Sequence, residues 1–231
     1  MRRRGRDIAR IGPQLFSRIL VLCACAGVGG LAGTAWRART GVREAKIAPI
    51  DARQFPAAGM SVGGAGVPTV RVFGDYECPA CRELDRRYGD SLLALAAAGR
   101  IRLIYHHSPL RSHALGELAG TVAYCAASRG GGWRVHRALY ARSLEWGSAD
   151  AKRSPESALR RMLAIAAATG VDSAAVHACV ASGGGAAAVR EDRAMARRLG
   201  VHAVPAVFAD SARLEFRSYR ALLRHVTRLA S

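Results

Sequence analysis

The feature that most constrains this sequence is a cysteine pair, Cys78-Pro79-Ala80-Cys81, set where a strand gives way to a helix. Upstream, Thr69-Val70-Arg71-Val72-Phe73 is β-branched and aromatic, which suits a strand, and Gly74-Asp75-Tyr76-Glu77 turns the chain. Pro79 fits the first helical turn, because the N–H it lacks would be unpaired there anyway. Cys81, Leu84, Tyr88, Leu92 and Leu95 then recur at helical spacing on one face, and Gly99 marks a stop. The expected junction puts Cys78 at the helix N-terminus and Cys81 one turn deeper.

That placement has chemical consequences. The positive end of a helix and its free N–H groups stabilise a thiolate, so Cys78 is the candidate attacking sulfur. Cys81 is positioned to attack a mixed disulfide and release the partner, letting the pair cycle between dithiol and disulfide. Taken alone, a C-x-x-C is equally half a zinc site, a structural disulfide or chance. Zinc needs a second ligand pair. His106 and His107 are neighbours on the strand 101–107 and point to opposite faces, and His113, His136, His177, His202 and His225 show no ligand spacing. No metal is expected.

A second signal lies far downstream. Leu199-Gly200-Val201-His202-Ala203-Val204-Pro205-Ala206-Val207-Phe208 carries a proline inside a strand-like run, where it requires an edge or a special backbone geometry. With this segment the sequence resembles the DsbA-like thiol–disulfide oxidoreductases of the thioredoxin superfamily. Phe73-Gly-Asp-Tyr-Glu-Cys-Pro-Ala-Cys81 looks like the family's active-site segment, and Gly200-Val-x-x-Val204-Pro205-x-x-Phe208 like its cis-proline loop. Ala123-Tyr-Cys125, Trp133, His136-Arg-Ala-Leu-Tyr140, Cys179 and Val189-Arg-Glu-Asp192 are similar to its inserted helical part. The resemblance implies a cis Pro205 beside the cysteine pair, with the Val204 backbone free to pair with an extended substrate peptide.

Segment 111–199 reads as mostly helical. Leu115, Leu118, Val122 and Cys125 share a face; Ser154-Pro155-Glu156 is a capped start and Thr169-Gly170 a stop; Asp172 caps the next helix, with Val176, Cys179 and Val180 on its apolar side. A further helix stops at Gly200, a strand covers about 213–216, and Tyr219, Leu222, Leu223, Val226 and Leu229 stripe a final helix. The expected fold is α/β, thioredoxin-like with an inserted all-helical domain, over residues 67–231. Cys125 and Cys179 both fall on apolar faces of the insertion. They are either buried thiols packed as small hydrophobes or a structural disulfide stapling two helices, which export would favour.

The N-terminus reads as an export or anchoring segment. Arg2, Arg3, Arg4, Arg6, Arg10 and Arg18 face the single acid Asp7, and the uncharged run from Ile19 to Trp36 just reaches the roughly 18–20 residues of a spanning helix. Residues 1–36 are thus expected to be a signal peptide or membrane anchor, and 37–66, with Pro49, Pro56 and several glycines, a linker. The remainder would work on the extracytoplasmic, periplasmic side of the membrane, or be secreted after cleavage. Lys+Arg is 35 against Asp+Glu 17, a formal charge of +18. No block alternates Arg with aromatic residues, and with 6% aromatics there is little material for a base-stacking platform, so no nucleic-acid partner is expected.

Some positions depart from the family pattern. Ala80 offers no side-chain donor to a Cys78 thiolate, Val72 stands where many relatives carry an acid, Glu77 adds opposing charge, and Asp75 either routes protons or caps the turn. The resulting expectation is an exported thiol–disulfide oxidoreductase needing no cofactor. It would exchange a disulfide between Cys78–Cys81 and unfolded or cysteine-containing clients, and a membrane redox partner would reset the pair. The same residues would serve a reductase or isomerase. The alternative from another class is a non-catalytic binding or chaperone module in which the pair is a staple.

Overall fold

The computed structural model describes residues 42–46 as backbone, and 60–148 and 154–231 in full. The expected signal or anchor, 1–36, lies outside these residues. No helix among the described residues is long and apolar enough to cross a membrane.

Along the chain the elements are β1 (Val42–Lys46), β2 (Met60–Val62), β3 (Thr69–Gly74), α1 (Pro79–Ala97), β4 (Arg102–His107), α2 (Gly116–Ala127), α3 (Gly132–Ala141), α4 (Ser143–Trp146), α5 (Pro155–Ala168), α6 (Ser173–Ser182), α7 (Gly184–Arg198), β5 (Ala206–Ala209), β6 (Ala212–Phe216) and α8 (Tyr219–Leu229). The six strands form one mixed sheet in the order β1-β6-β5-β3-β4-β2. Among the described strands only β3 and β4 run parallel, Val70 opposite Leu103 and Gly74 opposite His107, with α1 as the crossover between them. Antiparallel β5 lies on the other side of β3, Phe73 opposite Ala206. The ends of β3 and β5 therefore meet, and that meeting point is where Cys78 and Pro205 emerge.

Alternation along the strands divides the core. Val70, Val72, Leu103, Tyr105, Val207 and Leu214 join the large cluster with α1, α8 and the helical insertion. Phe73, Ala206 and Phe208 point to the opposite face, against Met195 and Ala196 of α7. The final helix presents Ala221, Leu222 and Val226 to the core, each almost fully buried. Its start is capped by the Ser218 hydroxyl, which accepts from the Ala221 N–H at 3.3 Å.

The helical insertion obeys its sequence signals. Ser154 caps α5 with Pro155 at the first position, and the Asp172 carboxylate accepts from the N–H groups of Ala174 and Ala175 to cap α6. Gly183, at φ +78°, ends α6 and starts α7, a left-handed junction that glycine adopts without steric cost. A disulfide joins Cys125 of α2 to Cys179 of α6 across 54 residues. Gly185 lets α7 settle on this bridge: a Cβ there would lie 2.8 Å from the Cys125 sulfur.

Two strands fall inside 37–66, the stretch expected as linker. β1 pairs with β6, and β2 pairs with β4, Met60 opposite Tyr105. Both are short edge strands, without the long alternation by which a strand announces itself in sequence. The strand-like run 199–208 also yields a shorter strand than expected. Residues 201–205 are irregular, and β5 begins only at Ala206, after the cis Val204–Pro205 peptide.

Candidate active site

Cys78 is the N-cap of α1, in extended conformation, with Pro79 at the first helical position. Its N–H donates to the Asp75 carbonyl at 3.1 Å, and its carbonyl accepts from the Arg82 N–H at 3.0 Å, so the turn and the helix both hold it. Cys78 is 7% exposed and Cys81 3%, both as free thiols. The Cys78 thiol reaches across to the Val204 carbonyl, 3.6 Å away. Residues that the sequence keeps 126 positions apart are thus neighbours, and Val204 and Pro205 lie beside the cysteine pair.

The two sulfurs differ electrostatically. The Cys78 thiol is pulled down to about 6, first by the hydrogen bond from Cys81 and then, against the cost of burial, by the N–H groups of Cys81 and Ala80. Burial pushes the Cys81 thiol well up, and a charged Cys78 beside it pushes further. At neutral pH the pair is therefore a Cys78 thiolate held by a protonated Cys81.

The acidic side chains of the turn are structural. Asp75 is buried; its carboxylate accepts from the Glu77 N–H at 2.9 Å and the Leu110 N–H at 2.8 Å, and lies 2.6 Å from His113 Nδ1. Of the two expected roles for Asp75, capping is the one this geometry supplies. The Glu77 carboxylate turns away and accepts from the Leu115 N–H at 2.6 Å, at the start of α2. The Asp75 carboxylate also opposes the Cys78 thiolate. Both acids thus tie the loop before α2 to the active-site turn.

Behind Cys81 lies an aromatic wall that the sequence did not point to as a group. The Tyr105 and Tyr140 hydroxyls are 2.5 Å apart, Tyr140 also donates to the Asp75 carbonyl at 3.2 Å, and Tyr76 is 2.8 Å from His136 Nδ1. A cavity of about 30 Å³ is lined by Cys81, Tyr105, His136 and Tyr140 together with Val72 and Pro205. Gly74 is needed here, since a Cβ would collide with the Tyr105 hydroxyl. The only local signal was the aromatic content of Tyr76 and His136–Tyr140, which is indistinguishable from ordinary core.

A second buried cluster braces the sheet from α7. Asp192 is 0% exposed; it lies 2.8 Å from His106 Nδ1, accepts from the His107 N–H at 2.7 Å, and accepts from the Tyr124 hydroxyl. His106 stacks on Phe73, while His107 packs against Tyr76 and Tyr124 on the other face. Burial holds the His107 imidazole neutral by pushing its pKa well down. Among the described residues no group of three or more His, Cys, Asp or Glu could hold a metal.

A dithiol at the N-terminus of the helix after the central strand, faced by a cis-proline loop and accompanied by a helical insertion, defines a thioredoxin-like fold. The chain belongs to the thioredoxin family: the family model described as thioredoxin matches residues 58–227. Among solved structures it is similar to a thioredoxin-like oxidoreductase from Silicibacter pomeroyi, with 21% identity over 78% of this chain and 98% of that one and a TM-score of 0.59. DsbA from Mycobacterium tuberculosis in its reduced form is 20% identical, over 74% of this chain and 91% of that one, TM-score 0.56. BdbD from Bacillus subtilis is 14% identical, over 81% and 99%, TM-score 0.60. No curated protein matches the chain significantly.

Proposed function

We propose that the chain is an extracytoplasmic thiol–disulfide oxidoreductase, tethered to or exported across the membrane by residues 1–36. Cys78 is its exchanging sulfur, Cys81 its resolving sulfur, and the Val204–Pro205 loop its client-facing edge. The observation that carries this reading is geometric: two free thiols stand at the N-terminus of α1, with the Cys78 sulfur 3.6 Å from the Val204 carbonyl beside the cis Pro205. The lowered Cys78 thiol beside a raised Cys81 thiol agrees with it, since exchange chemistry needs such asymmetry and a structural staple does not.

As a disulfide donor, the oxidised pair is attacked at the Cys78 sulfur by a client thiolate. The Cys78–Cys81 bond breaks, and Cys81 leaves and takes up a proton. The client's second thiolate then attacks the client sulfur of the mixed disulfide and expels Cys78, whose low pKa makes it a good leaving group. Two client thiols become one disulfide, and the protein's disulfide becomes a dithiol. In the reducing direction the same steps run backwards, with the Cys78 thiolate attacking a client disulfide. The Val204 backbone lines the approach, so an extended client segment can pair with it while its sulfur meets Cys78. Clients are unfolded or cysteine-bearing chains, and a membrane redox partner resets the pair.

A Cys78 pKa of about 6 lies between those of the thioredoxin cysteine, about 7, and the DsbA cysteine, about 3.5. The expected potential is likewise intermediate, between about −270 and −120 mV. Titrating the protein, with β1 retained, against glutathione tests this. A value towards −120 mV makes the protein a donor, and one towards −270 mV a reductant. A pair resisting reduction below about −300 mV overturns the exchange reading in favour of the non-catalytic module.

A further inference from the structure

Ala80, between the two cysteines, brings no side-chain donor to the site, yet a donor reaches it from the opposite end of the chain. The Tyr219 hydroxyl, at the first position of α8, donates to the Ala80 carbonyl at 2.9 Å. Tyr219 is half-buried, with its ring against Tyr88 of α1 and Phe216 of β6. The Ala80 carbonyl belongs to the same peptide group as the Cys81 N–H. That N–H and the Ala80 N–H face the Cys78 sulfur at the start of α1, without closing a full capping hydrogen bond. One planar peptide therefore lies between the hydroxyl on its oxygen side and the sulfur on its nitrogen side.

Hydrogen bonds in series polarise one another. A donor on the carbonyl oxygen draws electron density from the amide, makes its N–H more positive, and strengthens that N–H towards a negative sulfur. We infer that Tyr219 is a positioning residue of the dithiol site: by donating to the Ala80 carbonyl, its hydroxyl polarises the Ala80–Cys81 peptide and stabilises negative charge on the Cys78 sulfur. This rests on the dithiol reading above. The other groups facing Cys78 are the Cys81 thiol on its own helix, Asp75 in the preceding turn and the Val204 carbonyl. Of these, Asp75 and the carbonyl oppose a thiolate, so a remote donor has a deficit to offset. Burial, and after it the proximity of both cysteines, raises the Tyr219 pKa, keeping the phenol protonated and able to donate.

The test is Tyr219→Phe, which keeps the ring and removes the hydroxyl. The readout is the pH profile of Cys78 alkylation by iodoacetamide in the reduced protein, with the glutathione equilibrium constant measured alongside. A strengthening of about 10–30% in a charge-assisted hydrogen bond, lost with the hydroxyl, corresponds to about a 1.3- to 5-fold loss of thiolate at a fixed pH below the midpoint. The midpoint should move up accordingly, and the equilibrium should move by about the same factor towards the disulfide. Tyr88→Phe, which alters the ring touching Tyr219 but not the Ala80 carbonyl, should leave both unchanged. An acid-shifted wild-type profile that Tyr219→Phe does not move overturns the role of Tyr219 alone, as do equal shifts in both variants. A wild-type Cys78 with an ordinary thiol profile overturns the dithiol reading itself.

Discussion

The Cys78 sulfur and the Val204 carbonyl lie 3.6 Å apart because β3 and β5 are antiparallel neighbours that end together. The loop before β5 and the helix after β3 leave the sheet at the same edge. Each supplies half of the site: the sulfur comes from one, the surface against which a client chain can lie from the other.

Separating the roles of the two cysteines is the most direct consequence. Cys78→Ser should abolish disulfide exchange. Cys81→Ser should retain the reactive thiolate but lose the group that resolves it, so mixed disulfides with a cysteine-containing peptide accumulate. Non-reducing gels and mass spectrometry would show adducts on the second variant only; turnover by Cys78→Ser would refute the assignment.

The pH dependence has a definite sign. The Cys78 pKa in the folded dithiol is depressed to about 6, so its thiolate stabilises the reduced form. That stabilisation is complete above the ordinary thiol value, about 8.5, and is lost as the pH falls through about 6. Against glutathione, the ratio of reduced to oxidised protein should rise about tenfold per pH unit from about 6 to 8.5 and stay flat below. Alkylation of Cys78 should be half-maximal near pH 6, with Cys81 unmodified. A flat ratio up to pH 8 would sink the assignment of a low-pKa Cys78.

The Cys125–Cys179 bridge should matter for stability and not for exchange. It closes a separation of 54 residues between α2 and α6 of the insertion. Replacing both cysteines with alanine is expected to cost about 2–4 kcal/mol through the loop entropy regained by the unfolded chain. Urea unfolding would register the loss, while the redox potential of Cys78–Cys81 should not change.

Asp192→Ala would strand three buried groups at once: the His107 N–H, the Tyr124 hydroxyl and His106 Nδ1. Unsatisfied buried donors cost about 1–3 kcal/mol each, so destabilisation of at least about 3 kcal/mol is expected. A loss below about 1 kcal/mol in denaturant unfolding would show that the network does not brace β4.

By itself the sequence determined the local structure. Pro79 after Cys78 set the start of α1 and Gly99 its stop, while the capping residues Ser154 and Asp172 and the stops at Gly170 and Gly200 marked the helices of the insertion. These are signals that a few consecutive residues carry, through caps, missing N–H groups and positive φ. It also put Cys78 and Pro205 into one expected site, through two separate motifs. What the tertiary structure decided is everything that depends on contact between distant segments. The edge strands β1 and β2 exist because β6 and β4 offer them unpaired backbone. Asp75 and Glu77 brace a loop because the Leu110 and Leu115 N–H groups come within reach, which no spacing along the chain foretells. The same holds for Tyr219, which reads as one more apolar stripe residue until the packing of α8 sets its hydroxyl on the Ala80 carbonyl. Hydrogen-bond partners more than a helical turn apart are chosen by packing, and packing belongs to the whole fold.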